Sequence, residues 1–192
     1  MAITINGDGT ISGINVGGLP DGIVDTDTLA DNAATAAKLT TGNVIQTVNQ
    51  KVEGGSMTNI TTGTATYTGL YGEITPHLSN SKILILVNLR VYMSGGGNDT
   101  GCGFTIQRKI GSGTYSVIEA SVDATGQQQF YYYHPTSGGE LSTTFTDTAF
   151  DNPGTNSDVV RYQVYGSVHS GGTISLTSST SNHYITLMEI KQ

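Results

Sequence analysis

One cysteine, no tryptophan, four prolines and only 12% charged residues are what this 192-residue chain has little of. Each shortage removes options. Cys102 alone cannot form an internal disulfide or a cysteine-based zinc site. Its Gly-Cys-Gly setting marks a small strand-edge residue, with an exposed reactive thiol as the alternative. Eight Lys and Arg stand against fifteen Asp and Glu, a formal charge of −7, and no basic cluster occurs. Neither nucleic acid nor an anionic membrane surface is therefore an expected partner. The longest apolar run, Ile83 to Val87, is too short to span a bilayer. No charged segment leads into an apolar one at the N-terminus, so no secretory route is expected.

Catalytic signatures are missing too. The chain holds no Gly-x-Ser-x-Gly elbow, Walker loop or His-Glu-x-x-His. His77, His134, His169 and His183 are scattered, and each reads as a surface or strand-end residue rather than a metal ligand. A glycosidase needs two placed carboxylates. Glu73, Glu119, Glu140, Asp147, Asp151 and Asp158 fall mostly at turn positions, which turn chemistry explains. No enzymatic activity, metal or cofactor is expected.

What is abundant is 26 Gly, 29 Thr and 17 Ser, over a third of the chain, with ten Tyr. This β-branched, charge-poor composition argues for strands joined by tight turns. Residues 1–18 hold Ile3 and Ile5 alternating with polar residues, an Asn6-Gly7-Asp8-Gly9 turn signal, then Ile11 and Ile14. That predicts a small β-hairpin, which is marginal alone. Residues 19–42 contain two copies of one ten-residue unit, 20–29 and 30–39. Asp21 matches Asp31, Gly22 matches Asn32, Ile23-Val24 match Ala33-Ala34, and Leu29 matches Leu39. Each unit predicts a turn, a short extended piece and a helical turn capped by Asp25 or Thr35. A repeat this small cannot bury its own apolar face, so it needs neighbours, here other chains. Ile23, Val24, Leu29, Ala33, Ala34 and Leu39 would face those chains. The alternative is a flexible Ala/Thr/Asp linker.

From residue 43 to 192 the pattern is sustained β. Strands are predicted at Val44–Val52, Thr58–Tyr71, Lys82–Met93, Phe104–Ile110, Tyr115–Ala120, Gln127–His134, Leu141–Thr148, Val159–Val168, Thr173–Thr177 and His183–Lys191. The apolar first half of Lys82–Met93 predicts burial on both faces. About ten strands at hairpin spacing mean an antiparallel β-sandwich or jelly roll. Tyr and Gln concentrate in Gln127–His134, a pairing suited to sugars. Phe130 and Tyr132 would face a core there, leaving Tyr131 and Tyr133 outward as candidate receptor contacts. Asn98 and Asp99, in the Gly-rich loop Ser94–Gly101, are further candidates.

The opening Ile-Thr-Ile-Asn-Gly-Asp-Gly-Thr-Ile-Ser-Gly-Ile (3–14) and Ala-Asp-Asn-Ala-Ala-Thr-Ala-Ala-Lys-Leu (30–39) resemble the N-terminal parts of bacteriophage fibre proteins. The later pieces Ser81-Lys82-Ile83-Leu84-Ile85, Asp151-Asn152-Pro153-Gly154-Thr155, Arg161-Tyr162-Gln163-Val164 and Ile185–Ile190 resemble a domain of such fibres. The resemblance implies a homotrimeric virion protein: a β segment (1–18) anchoring to another virion protein through Ile3, Ile5, Ile11 and Ile14, a short stem (19–42), and a jelly-roll knob (43–192). The knob would meet a host glycan or envelope protein. The rivals are a capsid decoration or head-fibre protein and, more weakly, a polysaccharide depolymerase. Deleting residues 1–42 is expected to leave a soluble β-rich domain, checked by circular dichroism and proton-NMR dispersion.

Overall fold

The computed structural model describes residues 4–5, 7, 11–12, 34–61, 63–94, 102–118, 140–168, 172–178 and 180–192. The chain divides into two units, Met1–Lys38 and Leu39–Gln192. In the first, β1 (Thr4–Ile5) and β2 (Ile11–Ser12) pair antiparallel, with Ile5 in register with Ile11. Ile3 and Ile14 lie outside the described residues, as do Ile23, Val24, Leu29 and Ala33. The second ten-residue unit ends in a 3-10 turn, Ala36–Lys38, in which the Lys38 N–H bonds to the Thr35 carbonyl at 2.9 Å. Ala34 is exposed and the turn buries no residue. Leu39 belongs to the second unit, where its carbonyl accepts a hydrogen bond from Lys191 Nζ.

The second unit holds β3 (Val44–Glu53), β4 (Thr66–Ile74), β5 (Lys82–Ser94), β6 (Cys102–Ile110), β7 (Ser116–Val117), β8 (Glu140–Asp151), β9 (Val160–Val168), β10 (Thr173–Ser175) and β11 (Asn182–Ile190). Every pairing is antiparallel, and four of them are nested: β6 with β7, β5 with β8, β4 with β9, β3 with β11. One long hairpin has thus been folded over on itself, which is the jelly-roll plan. The result is a five-stranded sheet, in which β5 lies between β8 and β11 with β10 beside its far end, packed on a four-stranded sheet ordered β4-β9-β6-β7.

Strand alternation makes the core. Ile83, Ile85, Val87, Leu89, Val91 and Met93 of β5 are all buried. Leu84 and Leu86 are only half-buried, so the expectation of burial on both faces is corrected: β5 alternates throughout. Opposite lie Leu70, Ile74, Phe104, Ile106, Val160 and Val164, and Phe104 meets Phe145 with ring centroids 4.7 Å apart. Each such side chain contributes about 1.5–3 kcal/mol on leaving water. Cys102 is buried with them, its thiol donating to Met93 Sδ at 3.7 Å and pushed up to about 11 by burial. The exposed-thiol alternative is thereby excluded.

Three polar groups are built into this apolar interior. Glu189, fully buried on the inward face of β11, accepts hydrogen bonds from Gln46 Nε2 (2.8 Å), Ser81 Oγ (2.7 Å), and the N–H groups of His77 (2.8 and 2.9 Å) and Leu78 (3.0 Å). Burial pushes its carboxyl up, but these donors outweigh it and hold the group below the usual range. His183 stands near the start of β11, the strand-end position expected, but is fully buried rather than on the surface. On that side of β5, β11 pairs with Lys82–Asn88 and β10 with Tyr92–Ser94. The His183 ring fills the gap: Nδ1 accepts the Arg90 N–H at 3.3 Å and Nε2 donates to the Leu176 carbonyl at 3.0 Å. Only the neutral Nε2–H tautomer makes both bonds. Asp151, expected in a turn, instead closes β8, largely buried. It takes two bonds from Arg108 Nη1 (2.7 and 3.0 Å) and one from the Tyr162 hydroxyl (2.8 Å), both from the other sheet. Asp147 likewise sits within β8, opposite Val87, rather than in a turn.

Acid should act in two steps. Burial depresses the His183 pKa, so between about 6.5 and its folded value the unfolded chain binds a proton that the native one does not, and stability falls as pH drops. The depressed Glu189 pKa stabilises the fold above about 4.3, and that contribution disappears as pH falls through the folded value. Glu189→Gln should cost about 2–3 kcal/mol at pH 7, as a charge-assisted acceptor is lost. His183→Gln should flatten the limb just below pH 6.5. Urea titrations of both variants from pH 4 to 8 check this.

Candidate functional site

The outward face of the four-stranded sheet gathers what the sequence scatters. β9 is its central element, pairing with both β4 and β6. Val160, Tyr162 and Val164 point into the core, so strand alternation turns Arg161, Gln163 and Tyr165 outward. In register beside them on β6 are Lys109, Gln107 and Thr105. Val117 of β7 lies opposite Gln107, and Tyr115 just precedes that strand.

A bulge in β4 completes the face. Tyr67 is opposite Tyr165 and Tyr71 is opposite Gln163, so Thr68, Gly69 and Leu70 together face the single residue Val164. Gly69 adopts φ +98°, and a Cβ there would lie 2.9 Å from the Ser56 carbonyl oxygen, so this position requires glycine. The buried Thr68 hydroxyl replaces the lost ladder, donating to the Val164 carbonyl at 2.8 Å and accepting the Leu70 N–H at 3.2 Å. The bulge thereby brings both Tyr67 and Tyr71 beside β9's outward residues.

The rings are half-buried and touch one another. Tyr67 and Tyr165 have centroids 5.8 Å apart, Tyr115 and Tyr165 6.4 Å. Burial pushes the Tyr67 hydroxyl up to about 12, and Tyr165 is raised by burial and by Tyr115. Arg161 stacks over Tyr71 at 4.4 Å and bonds Glu73 at 2.6 Å, which raises its pKa. Lys109 lies over Tyr115 at 5.3 Å and makes no ion pair among the described residues.

Gln163 sits at the centre and is only 6% exposed although it points outward. Its Oε1 accepts the Tyr165 hydroxyl at 3.2 Å, and its Nε2 has no partner among the described residues. Whichever way the carboxamide is turned, one polar end has no partner among the described residues, against the rule that buried polar groups are satisfied. Aromatic faces, two carboxamides and an ammonium with no ion pair among the described residues make a surface chemically suited to recognition. The one carboxylate among these residues, Glu73, is tied to Arg161.

Of the receptor contacts expected from sequence, Tyr131, Tyr133, Asn98 and Asp99 all lie outside the described residues. Sequence reasoning missed Tyr67, Tyr71, Tyr115, Gln163 and Tyr165, spread over separate strands. The available signal was the alternation in Arg161–Tyr165, which sets Gln163 and Tyr165 on the face opposite Tyr162 and Val164. Elsewhere, the outward face of the five-stranded sheet carries hollows of about 310 Å³ beside Arg90 and Tyr92 and about 230 Å³ beside Asn88 and Tyr184. Among the described residues no cluster of three or more His, Cys, Asp or Glu could hold a metal.

No protein-family model matches the chain, and no curated protein matches it in sequence. Among solved structures it is similar to the VP2 subviral particle of infectious bursal disease virus (TM-score 0.37, 7% identity, covering 78% of this chain and 38% of that one). It is also similar to the Gx strain of that virus (0.36, 9%, 75% and 38%) and to Eiger TNF from S. frugiperda (0.32, 14%, 79% and 90%). The chain thus spans 38% of the length of the two viral chains. At these scores none of the three bears on what the chain does.

The Gln163 carboxamide, bonded at one end only among the described residues, has a consequence for stability. Gln163→Met, close in size, should raise the unfolding midpoint by the equivalent of about 1 kcal/mol, because an unsatisfied buried polar group is removed. Thermal denaturation checks it; a purely structural glutamine would lose stability instead.

Proposed function

We propose that this chain is a structural protein of a bacteriophage particle: a short homotrimeric fibre or spike whose jelly-roll knob faces the host. The observation that carries this is the second ten-residue unit, which closes in a 3-10 turn that buries nothing. Such a unit gains a core only by packing against other copies. Its likeness to phage fibre stems supports the same reading, as does the jelly-roll domain that follows it.

The knob also has a surface on which copies could meet. Across the outward face of the five-stranded sheet, Phe150, Leu84 and Met188 form a row over three strands, with Leu86 beside it and Tyr184 one step further, opposite Asn88. Phe150 is 60% exposed, large for an aromatic residue with no partner chain. In this reading residues 1–18 dock to another virion protein, the chain catalyses nothing and needs no cofactor, and it contacts neither nucleic acid nor membrane interior.

Sedimentation of the full chain at micromolar concentration is expected to give three copies, and Phe150→Lys to weaken that association. A monomer would remove the stem reading. Cryomicroscopy of intact particles should place the chain at the tail; density on the head would make it a decoration protein instead.

A further inference from the structure

We infer that the outward face of the four-stranded sheet is a binding site for an acidic saccharide, centred on Gln163. This deepens the preceding reading and rests on its host-facing part, not on the trimer or the location in the particle. The first reason is the buried carboxamide: Gln163 is 6% exposed, yet its Nε2 has no partner among the described residues. Strand alternation sets this side chain on the face of β9 away from the core, in register with Gln107 and Tyr71, so a ligand oxygen reaching it would satisfy its two N–H donors. Gln107, directly opposite on β6, adds a second carboxamide beside it. A sugar ring offers hydroxyls at the spacing that paired carboxamides serve: each hydroxyl donates and accepts, matching a carboxamide oxygen that accepts and an NH2 that donates.

The second reason is charge. The chain carries −7 overall, yet Lys109 and Arg161 adjoin this site. Arg161 is neutralised by Glu73 at 2.6 Å, whereas Lys109 has no ion pair among the described residues and is held over Tyr115. A cation with no ion pair among the described residues, beside two carboxamides, complements a carboxylate carried on a hydroxyl-rich ligand. The third is shape: Tyr115 and the 48% exposed Val117 border the carboxamides on the β7 side, giving the ligand's C–H face something apolar to lie against. In this arrangement the ammonium of Lys109 takes the sugar carboxylate, and the Gln163 and Gln107 carboxamides take neighbouring hydroxyls.

The test uses the purified full chain against oligogalacturonate, hyaluronan oligosaccharides and sialyllactose, with maltohexaose and cellohexaose as neutral controls. Binding to at least one acidic probe, weakening with added salt, is expected. Lys109→Met should weaken it about tenfold while Lys109→Arg retains most of it, and Gln163→Met should weaken it by a similar factor, the scale of one charge-assisted hydrogen bond. Gln163→Met is read alongside its unfolding midpoint, so lost binding in a folded variant is separable from misfolding. Silence across all the acidic probes overturns the proposal, as does binding indifferent to both positions. If either variant instead dissociates the oligomer, the face is a contact between copies and the proposal fails. None of these outcomes depends on where the chain sits on a particle.

Discussion

The jelly roll depends on a buried carboxylate. The chain must leave the four-stranded sheet at Ile74 and enter the five-stranded one at Lys82, and the turn between them has no ladder to hold it. Glu189, near the end of the last strand, supplies what is missing by accepting the N–H groups of His77 and Leu78 and the Ser81 hydroxyl. Gln46 on β3 donates to the same carboxylate and to the Thr75 carbonyl. One ionised group thus ties the first strand of the domain, its last strand and a crossover together. An anion can be buried here because its donors are mostly backbone and small side chains that the fold has already positioned.

His183 and Asp151 follow the same logic at other weak points. Two partners, the nine-residue β11 and the three-residue β10, share one side of β5 and leave the Arg90 N–H between them without a ladder partner, and an imidazole fills that gap. Asp151 joins the two sheets through Arg108 and Tyr162, where the end of β8 would otherwise expose polar groups to the core. Satisfied in this way, such groups specify one arrangement of the strands, because a slip of register would leave each of them unpaired.

The outward face of the four-stranded sheet is built from the opposite principle. Its central glutamine is buried and half-satisfied, and a flexible glycine at Gly69 is required to place Tyr67 and Tyr71 beside it. Both features cost stability, and both lie on the same face of one sheet. The same Tyr and Gln chemistry was legible in the sequence, but in the segment 127–134, where the residues are contiguous. Nothing in a linear reading joins Tyr67, Lys109, Tyr115 and Gln163, because their proximity is created by the β4-β9-β6-β7 order.

By itself the sequence determined the all-β class and most strand positions, since a two-residue period and turn residues at hairpin spacing are local properties; the single inward stripe of β5 it did not, because Leu84 and Leu86 are as apolar as the residues beside them. It also determined that the ten-residue units cannot form a core of their own, as their apolar content is too small. Tertiary structure alone decided which strands pair, that Glu189, His183 and Asp151 are interior rather than surface groups, and that a bulge aligns two tyrosines with a buried glutamine. Those outcomes rest on contacts between residues far apart in the chain, such as Gln46 with Glu189. Burial of a polar side chain is settled by the partners that long-range packing brings to it.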